Sequence, residues 1–135
     1  MAGQQQLRVV KTDAEWKRIL TPFQYQVLRQ AATERPFSNP LNDEHRNGVF
    51  SCAGCNWPLY SSKNKFDSHT GWPSFDRPIN NHAVTYEQDN SLLMQRTAVN
   101  CYSCGGHLGH VFDDGPPTTG KRYCMNGTAM RFTPM

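Results

Sequence analysis

The chain holds five cysteines, and their spacing divides them. Four form two C-x-x-C units, Cys52/Cys55 in "CAGC" and Cys101/Cys104 in "CYSC"; the fifth, Cys124 in "GKRYCMNG", has no cysteine partner. One tight turn can present two thiolates to a single ion, and two such turns complete a tetrahedral shell. Soft all-sulfur ligation favours Zn2+ over Mg2+ or Ca2+. Gly105 and Gly106, directly after Cys104, supply the backbone freedom such a turn needs. Residues 56–100 separate the pairs, a longer gap than in a common zinc ribbon, so the ion would staple two distant hairpins of one sheet system. Two other chemistries share the motif: a thioredoxin-like dithiol, which normally opens a helix after a strand, and an iron–sulfur centre. Neither pair is followed by a helical pattern, and the reading adopted is a structural zinc site. A closed four-cysteine shell keeps no open position for substrate, so the metal would hold the fold and leave the chemistry to other residues.

A lone cysteine is often an inert core thiol. Around Cys124 the neighbours point elsewhere. If "KRYCMN" is a strand, Arg122, Cys124 and Asn126 share one face, and Tyr123 and Met125 the other. A guanidinium beside the sulfur favours the thiolate, its nucleophilic form. An amide on the same face can hold a reacting group by hydrogen bonds. Just upstream, "HLGHVFDDGP" offers His107, His110, Asp113 and Asp114. On a flat strand the two histidines would face opposite sides, but Gly109 permits a bulge that re-aims one. The segment reads either as a solvated hairpin end or as acid–base equipment for the thiol. In "SHTGWPSF", Gly71 permits a turn and Pro73 stiffens the backbone beyond it; Trp72 is then either a core aromatic or a displayed apolar wall for a small ligand. Trp16 and Trp57 are assigned to packing.

These residues need elements to position them. "TDAE" carries a capping box, Thr12 with Glu15, and Trp16, Ile19 and Leu20 come after it at helical spacing. "TPFQ" repeats the signal with Thr21, Pro22 and Gln24, and predicts a second helix buried through Phe23, Val27 and Leu28. "TERPFSNPLND" reads as an irregular arm. From Gly48 onward the segments "GVFSC", "PLYSS", "AVTYEQD", "LLMQRTAVNC", "HLGHVFDD" and "RYCMN...MRFTP" read as short strands between turns. Strands without alternating helices predict antiparallel sheet, as two packed sheets or a small barrel.

The 135 residues make one domain, large enough for a core without disulfides. A net charge of +3 is too small to suggest a nucleic-acid or membrane-surface protein by itself. "MAGQQQLRVVKTDAEW" has no apolar run of the signal-peptide kind, and no stretch approaches the ~20 residues of a membrane span. A cytoplasmic monomer is expected, with no nucleic-acid or membrane partner; an organellar address stays open.

In order, "DSHTGWPSF", "CYSCGGHLGHVFDDGP" and "RYCMN", with both C-x-x-C units around and between them, resemble the MsrB family, the peptide-methionine (R)-S-oxide reductases. The opening "EWKRILTPFQYQVLRQAATERPF" is similar to that family too, so the resemblance spans about residues 12 to 134. It implies a mainly β, β-tent fold: two small antiparallel sheets, short N-terminal helices and a zinc-stapled hairpin pair. A flexible N-terminus over residues 1–11 would precede a single catalytic domain over 12–135. It also implies an oxidoreductase that returns methionine-R-sulfoxide, free or in proteins, to methionine, as repair of oxidative damage. By resemblance Cys124 is the nucleophile, and Trp72 and Phe112 bind substrate. His107, His110 and Asp114 position the proton for the sulfoxide oxygen, Arg122 and Asn126 tune and orient the site, and Cys52, Cys55, Cys101 and Cys104 hold one structural Zn2+.

The chain departs from the family pattern where many members carry a second, resolving cysteine: that position is Thr70. A sulfenic acid on Cys124 then has no obvious internal thiol partner: either an external thiol (thioredoxin, glutaredoxin or glutathione) reduces it directly, which is the reading adopted, or one of the C-x-x-C units is not a zinc ligand pair. The run after the nucleophile, "NGTAMRF", also differs from the serine-rich run common in the family. Two rivals stand beside this reading. A zinc-ribbon-like binding module would need a basic face, and Lys63, Lys65, Lys121 and Arg122 are few for one. Another cysteine enzyme, such as a thiol peroxidase or acyl transferase, shares the Cys–His pairing.

Overall fold

The computed structural model describes residues 7–90 and 94–135. Residues 1–6 of the expected flexible N-terminus, and Leu92 and Leu93 of the expected strand "LLMQRTAVNC", lie outside the described residues. From residue 7 the chain touches the body of the protein: Arg8 N and Val9 N both donate to Ser103 O, at 2.9 and 3.0 Å.

Two short helices open the fold, α1 (Asp13–Ile19) and α2 (Pro22–Gln30). Both predicted capping boxes form. Thr12 accepts from Glu15 N and Glu15 from Thr12 N; Thr21 and Gln24 repeat the exchange, with Pro22 in the first turn. Trp16 and Leu20 are buried as expected, while Ile19 is exposed. On α2 the buried residues are Tyr25, Val27 and Leu28, and Phe23 is 43 % exposed. The apolar face is centred between Val27 and Tyr25, which leaves Phe23 at its margin. No helix among the described residues is long and apolar enough to cross a membrane.

Every strand pairing among the described residues is antiparallel. The strands are β1 (Gly48–Cys52), β2 (Pro58–Ser61), β3 (Lys65–Phe66), β4 (Ser74–Phe75), β5 (Val84–Asp89), β6 (Arg96–Cys101), β7 (His107–Phe112), β8 (Arg122–Met125) and β9 (Met130–Pro134). They form a three-stranded sheet, β2-β1-β9, and a six-stranded sheet, β3-β4-β8-β7-β6-β5. The expected "RYCMN...MRFTP" unit is two strands in different sheets, split by the one-turn 3-10 helix Gly127–Ala129. The two-residue strands β3 and β4 carry no alternation long enough to read from sequence.

The sheets meet through aromatic rings. Tyr60 of β2 stacks on Phe75 of β4 at 4.3 Å between centroids, and Phe50 of β1 meets the same ring edge-on at 5.0 Å. Tyr123 of β8 lies 6.0 Å from Tyr60. The inward face of β8 is thus Tyr123 and Met125, both buried in the core, and its other face is free for chemistry. The C-x-x-C turns end β1 and β6, so Cys52/Cys55 belong to the three-stranded sheet and Cys101/Cys104 to the six-stranded one. This corrects the expectation of two hairpins in one sheet system. The cysteine cluster instead bridges two sheets, because β1 pairs with β2 and β9 while β6 pairs with β5 and β7.

Candidate active site

Cys124 sits in the middle of the six-stranded sheet. Its register partners are Ser74 on β4 and His110 on β7, so both neighbours present side chains on its face. A cleft of about 220 Å³ opens there, lined by Thr33, Thr70, Trp72, Arg96, His110, Phe112, Arg122, Cys124 and Asn126 among others. It is smaller than the ~300–1,000 Å³ of pockets for whole small molecules, and suits a single side chain.

The alternation expected for "KRYCMN" holds, and Arg122, Cys124 and Asn126 line one cleft. The two histidines share a side through a bulge: Val99 faces Gly109 but Asn100 faces His107, leaving Leu108 as the extra residue of β7. Their rings are 5.3 Å apart, edge to face. Gly109 has a separate duty. It opposes Met125, and a Cβ there would collide with the Cys124 carbonyl oxygen and the Met125 backbone. Only glycine lets β7 approach β8 this closely beside the sulfur.

His110 lines the cleft, and its Nε2 lies 2.8 Å from Asp89 Oδ2. Asp89, at the end of β5, also receives Arg96 at 3.3 Å. His107 faces the adjoining groove along β5 and β6, and its Nε2 has no partner among the described residues. Burial, reinforced by the neighbouring His110, pushes the His107 pKa down to about 4, so it is neutral near pH 7. Asp114 stays outside the cleft lining and grips Arg122 at 2.9 and 3.2 Å. Arg122 in turn lies over the Phe112 ring at 4.5 Å. Arg122 thus links Asp114 to the cleft that holds the sulfur. The Cys124 thiol itself is pushed up by burial, more than Arg122 and the Thr70 hydroxyl pull it down. The guanidinium does favour the thiolate, as expected from sequence, but desolvation outweighs it.

Glu34, in the arm after α2, is 1 % exposed and ties the site together. Its carboxylate accepts from Gly127 N at 3.0 Å, Thr128 N at 2.8 Å and Thr128 Oγ1 at 2.7 Å. Its backbone N–H donates to Asn126 Oδ1 at 3.0 Å, and its carbonyl receives Trp72 Nε1 at 3.0 Å. Asn126 is spanned between this arm and β7, donating Nδ2 to Leu108 O at 3.0 Å. Glu34 thus fixes the turn after Cys124 and the indole across from it. Glu34→Gln would set an amide N–H against a donor, and is expected to cost about 3 kcal/mol. The measurement is thermal melting, where a fall of roughly 10 °C is expected; an unchanged melting temperature would refute the role.

The four paired cysteines converge. Their sulfurs lie within 4.8 Å of one another, with Cys55–Cys101 at 3.5 Å and Cys52–Cys104 at 3.8 Å. A tetrahedral ion with metal–sulfur bonds of about 2.3 Å sets sulfur–sulfur edges of about 3.8 Å, so the cluster fits a four-thiolate metal site. Gly54 N–H and Gly106 N–H donate to Cys52 and Cys104 sulfur at 3.4 Å, as suits thiolate ligands.

The SelR domain model matches residues 20–134. The peptide methionine sulfoxide reductase MsrB of Agrobacterium fabrum is 50 % identical over 128 residues, 95 % of each chain. That of Leifsonia xyli subsp. xyli is 51 % identical over 134 residues, covering 98 % of this chain and 96 % of its own. That of Methanosarcina barkeri is 52 % identical over 127 residues, 94 % of this chain and 89 % of its own. The chain belongs to the MsrB family.

Within this MsrB-family chain, sequence reasoning misses Glu34 and Asp89. Glu34 stands in a polar arm, and its carboxylate partners are 93 and 94 positions away. Asp89 reads only as the end of a strand; its contact with His110 depends on the register of three strands. Trp57, assigned to packing, is partly exposed and stacks on Tyr102 at 6.0 Å.

Proposed function

We propose that this chain reduces the R epimer of methionine sulfoxide, free or in polypeptides, with Cys124 as the nucleophile. One arrangement carries the reading: a half-buried sulfur in a side-chain-sized cleft, with Trp72 and Phe112 as apolar walls and His110, Arg122 and Asn126 as polar ones. A methyl sulfoxide has a matching split between a methyl group and a polarised oxygen. Cys124 Sγ attacks the substrate sulfur, and the oxygen passes to Cys124. Thiol plus sulfoxide becomes thioether plus sulfenic acid, with the thiol proton ending on the transferred oxygen and none left over. His110, oriented by Asp89, is the group placed to hold that proton during the transfer. Arg122, neutralised in part by Asp114, steadies the sulfur; Asn126 and Trp72 are held by Glu34.

A first external thiol then displaces water from the sulfenic acid, and a second releases Cys124 and leaves as the disulfide. Thioredoxin or another thiol reductant fills this role. Cys52, Cys55, Cys101 and Cys104 would hold one Zn2+, which supplies structural ligation only. Four thiols gathered for a metal suit a reducing compartment, and the reading adopted is a cytoplasmic protein.

The test is turnover of each separated epimer of a blocked methionine sulfoxide with dithiothreitol as reductant. Reduction of the R epimer alone is expected. Reduction of the S epimer alone, or of neither by folded protein, would overturn the assignment.

A further inference from the structure

The chain holds two Asn-Gly dipeptides, Asn47–Gly48 and Asn126–Gly127. Asparagine is a thermolabile residue, and a following glycine exposes it most, because no side chain hinders attack by the next backbone nitrogen. That nitrogen loses its proton and bonds to the asparagine Cγ. The Cγ–Nδ2 bond breaks, and the amide leaves as ammonia. Water then opens the cyclic imide at either carbonyl, which leaves aspartate or isoaspartate. The sum is asparagine plus water giving acid plus ammonia, with no oxidant or reductant.

The second dipeptide begins in the cleft, at Asn126. Its glycine is set by packing. A Cβ at 127 would overlap the Asn39 side chain, whose Oδ1 accepts from Leu41 N at 2.9 Å. The hazard therefore comes with the fold, and four hydrogen bonds oppose it. Gly127 N–H donates to Glu34 Oε2 at 3.0 Å, and the Asn126 carbonyl accepts from Ala129 N at 3.0 Å, so the joining peptide is held at both edges. Asn126 Oδ1 accepts from Glu34 N at 3.0 Å, and Nδ2 donates to Leu108 O at 3.0 Å, so the side-chain amide is held at both atoms. Closing the imide needs the Gly127 nitrogen eclipsed with Asn126 Cβ about the Cα–C bond. The Asn126 ψ is 119°, about a third of a turn from that alignment. Both planes must leave their partners to reach it. The Glu34 carboxylate also opposes negative charge on the nitrogen that must lose its proton.

Asn47–Gly48 is the counter-case. Asn47 is exposed, and its side chain makes no hydrogen bond among the described residues. Its peptide is held by Ser62 Oγ, which accepts from Gly48 N at 2.9 Å, and by Met135 N, which donates to the Asn47 carbonyl at 2.9 Å. Met135 is 91 % exposed, and contacts of that kind open readily.

We propose that Asn126–Gly127 is a latent deamidation site that Glu34 holds shut, while Asn47–Gly48 stays open to the same chemistry. Glu34 supplies two of the four bonds, one through its carboxylate and one through its backbone N–H. Its carboxylate is anchored in turn by Thr128 N and Thr128 Oγ1. Where this clasp fails, the damage is permanent. An acid at 126 has no proton for Leu108 O and sets a carboxylate in the cleft with Cys124.

The test is incubation of metal-loaded protein in mildly alkaline buffer, with deamidation at each asparagine followed by peptide mass. In denaturant both sites should deamidate at similar rates. In the native chain Asn47 should still react, and Asn126 should fall behind it at least about thirtyfold, the factor for two hydrogen bonds of ordinary net strength. Glu34→Gln, held below its melting temperature, should raise the Asn126 rate at least about tenfold and leave Asn47 unchanged. Thr128→Val keeps the carboxylate and removes one of its donors; it should give a smaller rise, and serves where Glu34→Gln is unfolded. Equal native rates at the two asparagines would overturn the guard. So would a folded Glu34→Gln or Thr128→Val chain in which Asn126 stays as intact as in wild type. Slower loss in Glu34→Gln would mark the carboxylate as a base that promotes the reaction, and would also overturn it. The chemistry needs neither sulfoxide nor thiol, so each outcome is independent of the reductase reading.

Discussion

Cys124→Ser is expected to lose at least about 10⁴-fold in kcat/KM toward methionine-R-sulfoxide, with the fold intact. A serine hydroxyl ionises far above the thiol range and is a much poorer nucleophile toward sulfur. On the proposed mechanism the remaining groups cannot compensate: Arg122, His110 and Asn126 line the cleft beside Cys124, and the electron pair comes from position 124. Wild-type protein given sulfoxide without reductant should make one methionine per chain and stop. The peptide carrying Cys124 should gain about 16 Da and react with dimedone, as a sulfenic acid does. No intramolecular disulfide to Cys124 should form, because the other four cysteines are gathered in a cluster of their own and Thr70 offers only a hydroxyl. A mapped disulfide to Cys124 would sink the external-reductant scheme. Substantial activity in the serine variant would sink the nucleophile.

Legibility in the sequence tracks the range of the interactions involved. Both capping boxes are readable because Thr12/Glu15 and Thr21/Gln24 meet within one turn. The chemical face of β8 is readable because strand periodicity places Arg122, Cys124 and Asn126 together whatever lies beside them. The bulge in "HLGHVF" is half readable: Gly109 advertises it, yet Leu108 is the inserted residue and Gly109 serves the close approach to β8. Glu34 is unreadable, because a charged residue among turn formers looks solvated until residues 126–128 fold over it. Asp114 stands close to the histidines in sequence, and what the sequence does not show is that it accepts from Arg122 across the hairpin. The same limit hides the bridge between sheets. Hairpins can be read from turns, but which sheet each joins is decided by residues far along the chain.

Removing the metal, by Cys101→Ser or by chelation, is expected to unfold the chain. Structural zinc in small cysteine sites contributes roughly 10–16 kcal/mol, against a typical whole-domain stability of about 5–15 kcal/mol. Here the cluster joins the β1–β2 turn of one sheet to the β6–β7 turn of the other, and Cys52, Cys101 and Cys104 are fully buried in the core around it. A serine at position 101 would leave three thiolates gathered in a low-dielectric pocket without their fourth ligand. The loss should reach the catalytic cleft along β7. That strand starts just after the Gly105–Gly106 turn, and its fourth residue, His110, is the register partner of Cys124. Zinc content, near-UV circular dichroism and activity should therefore fall together in Cys101→Ser. Cys124→Ser should keep one equivalent of zinc and a wild-type melt. A chelated chain that melts cooperatively at the native temperature would show that the sulfurs hold no structural metal, and would reopen the dithiol reading of the two C-x-x-C turns.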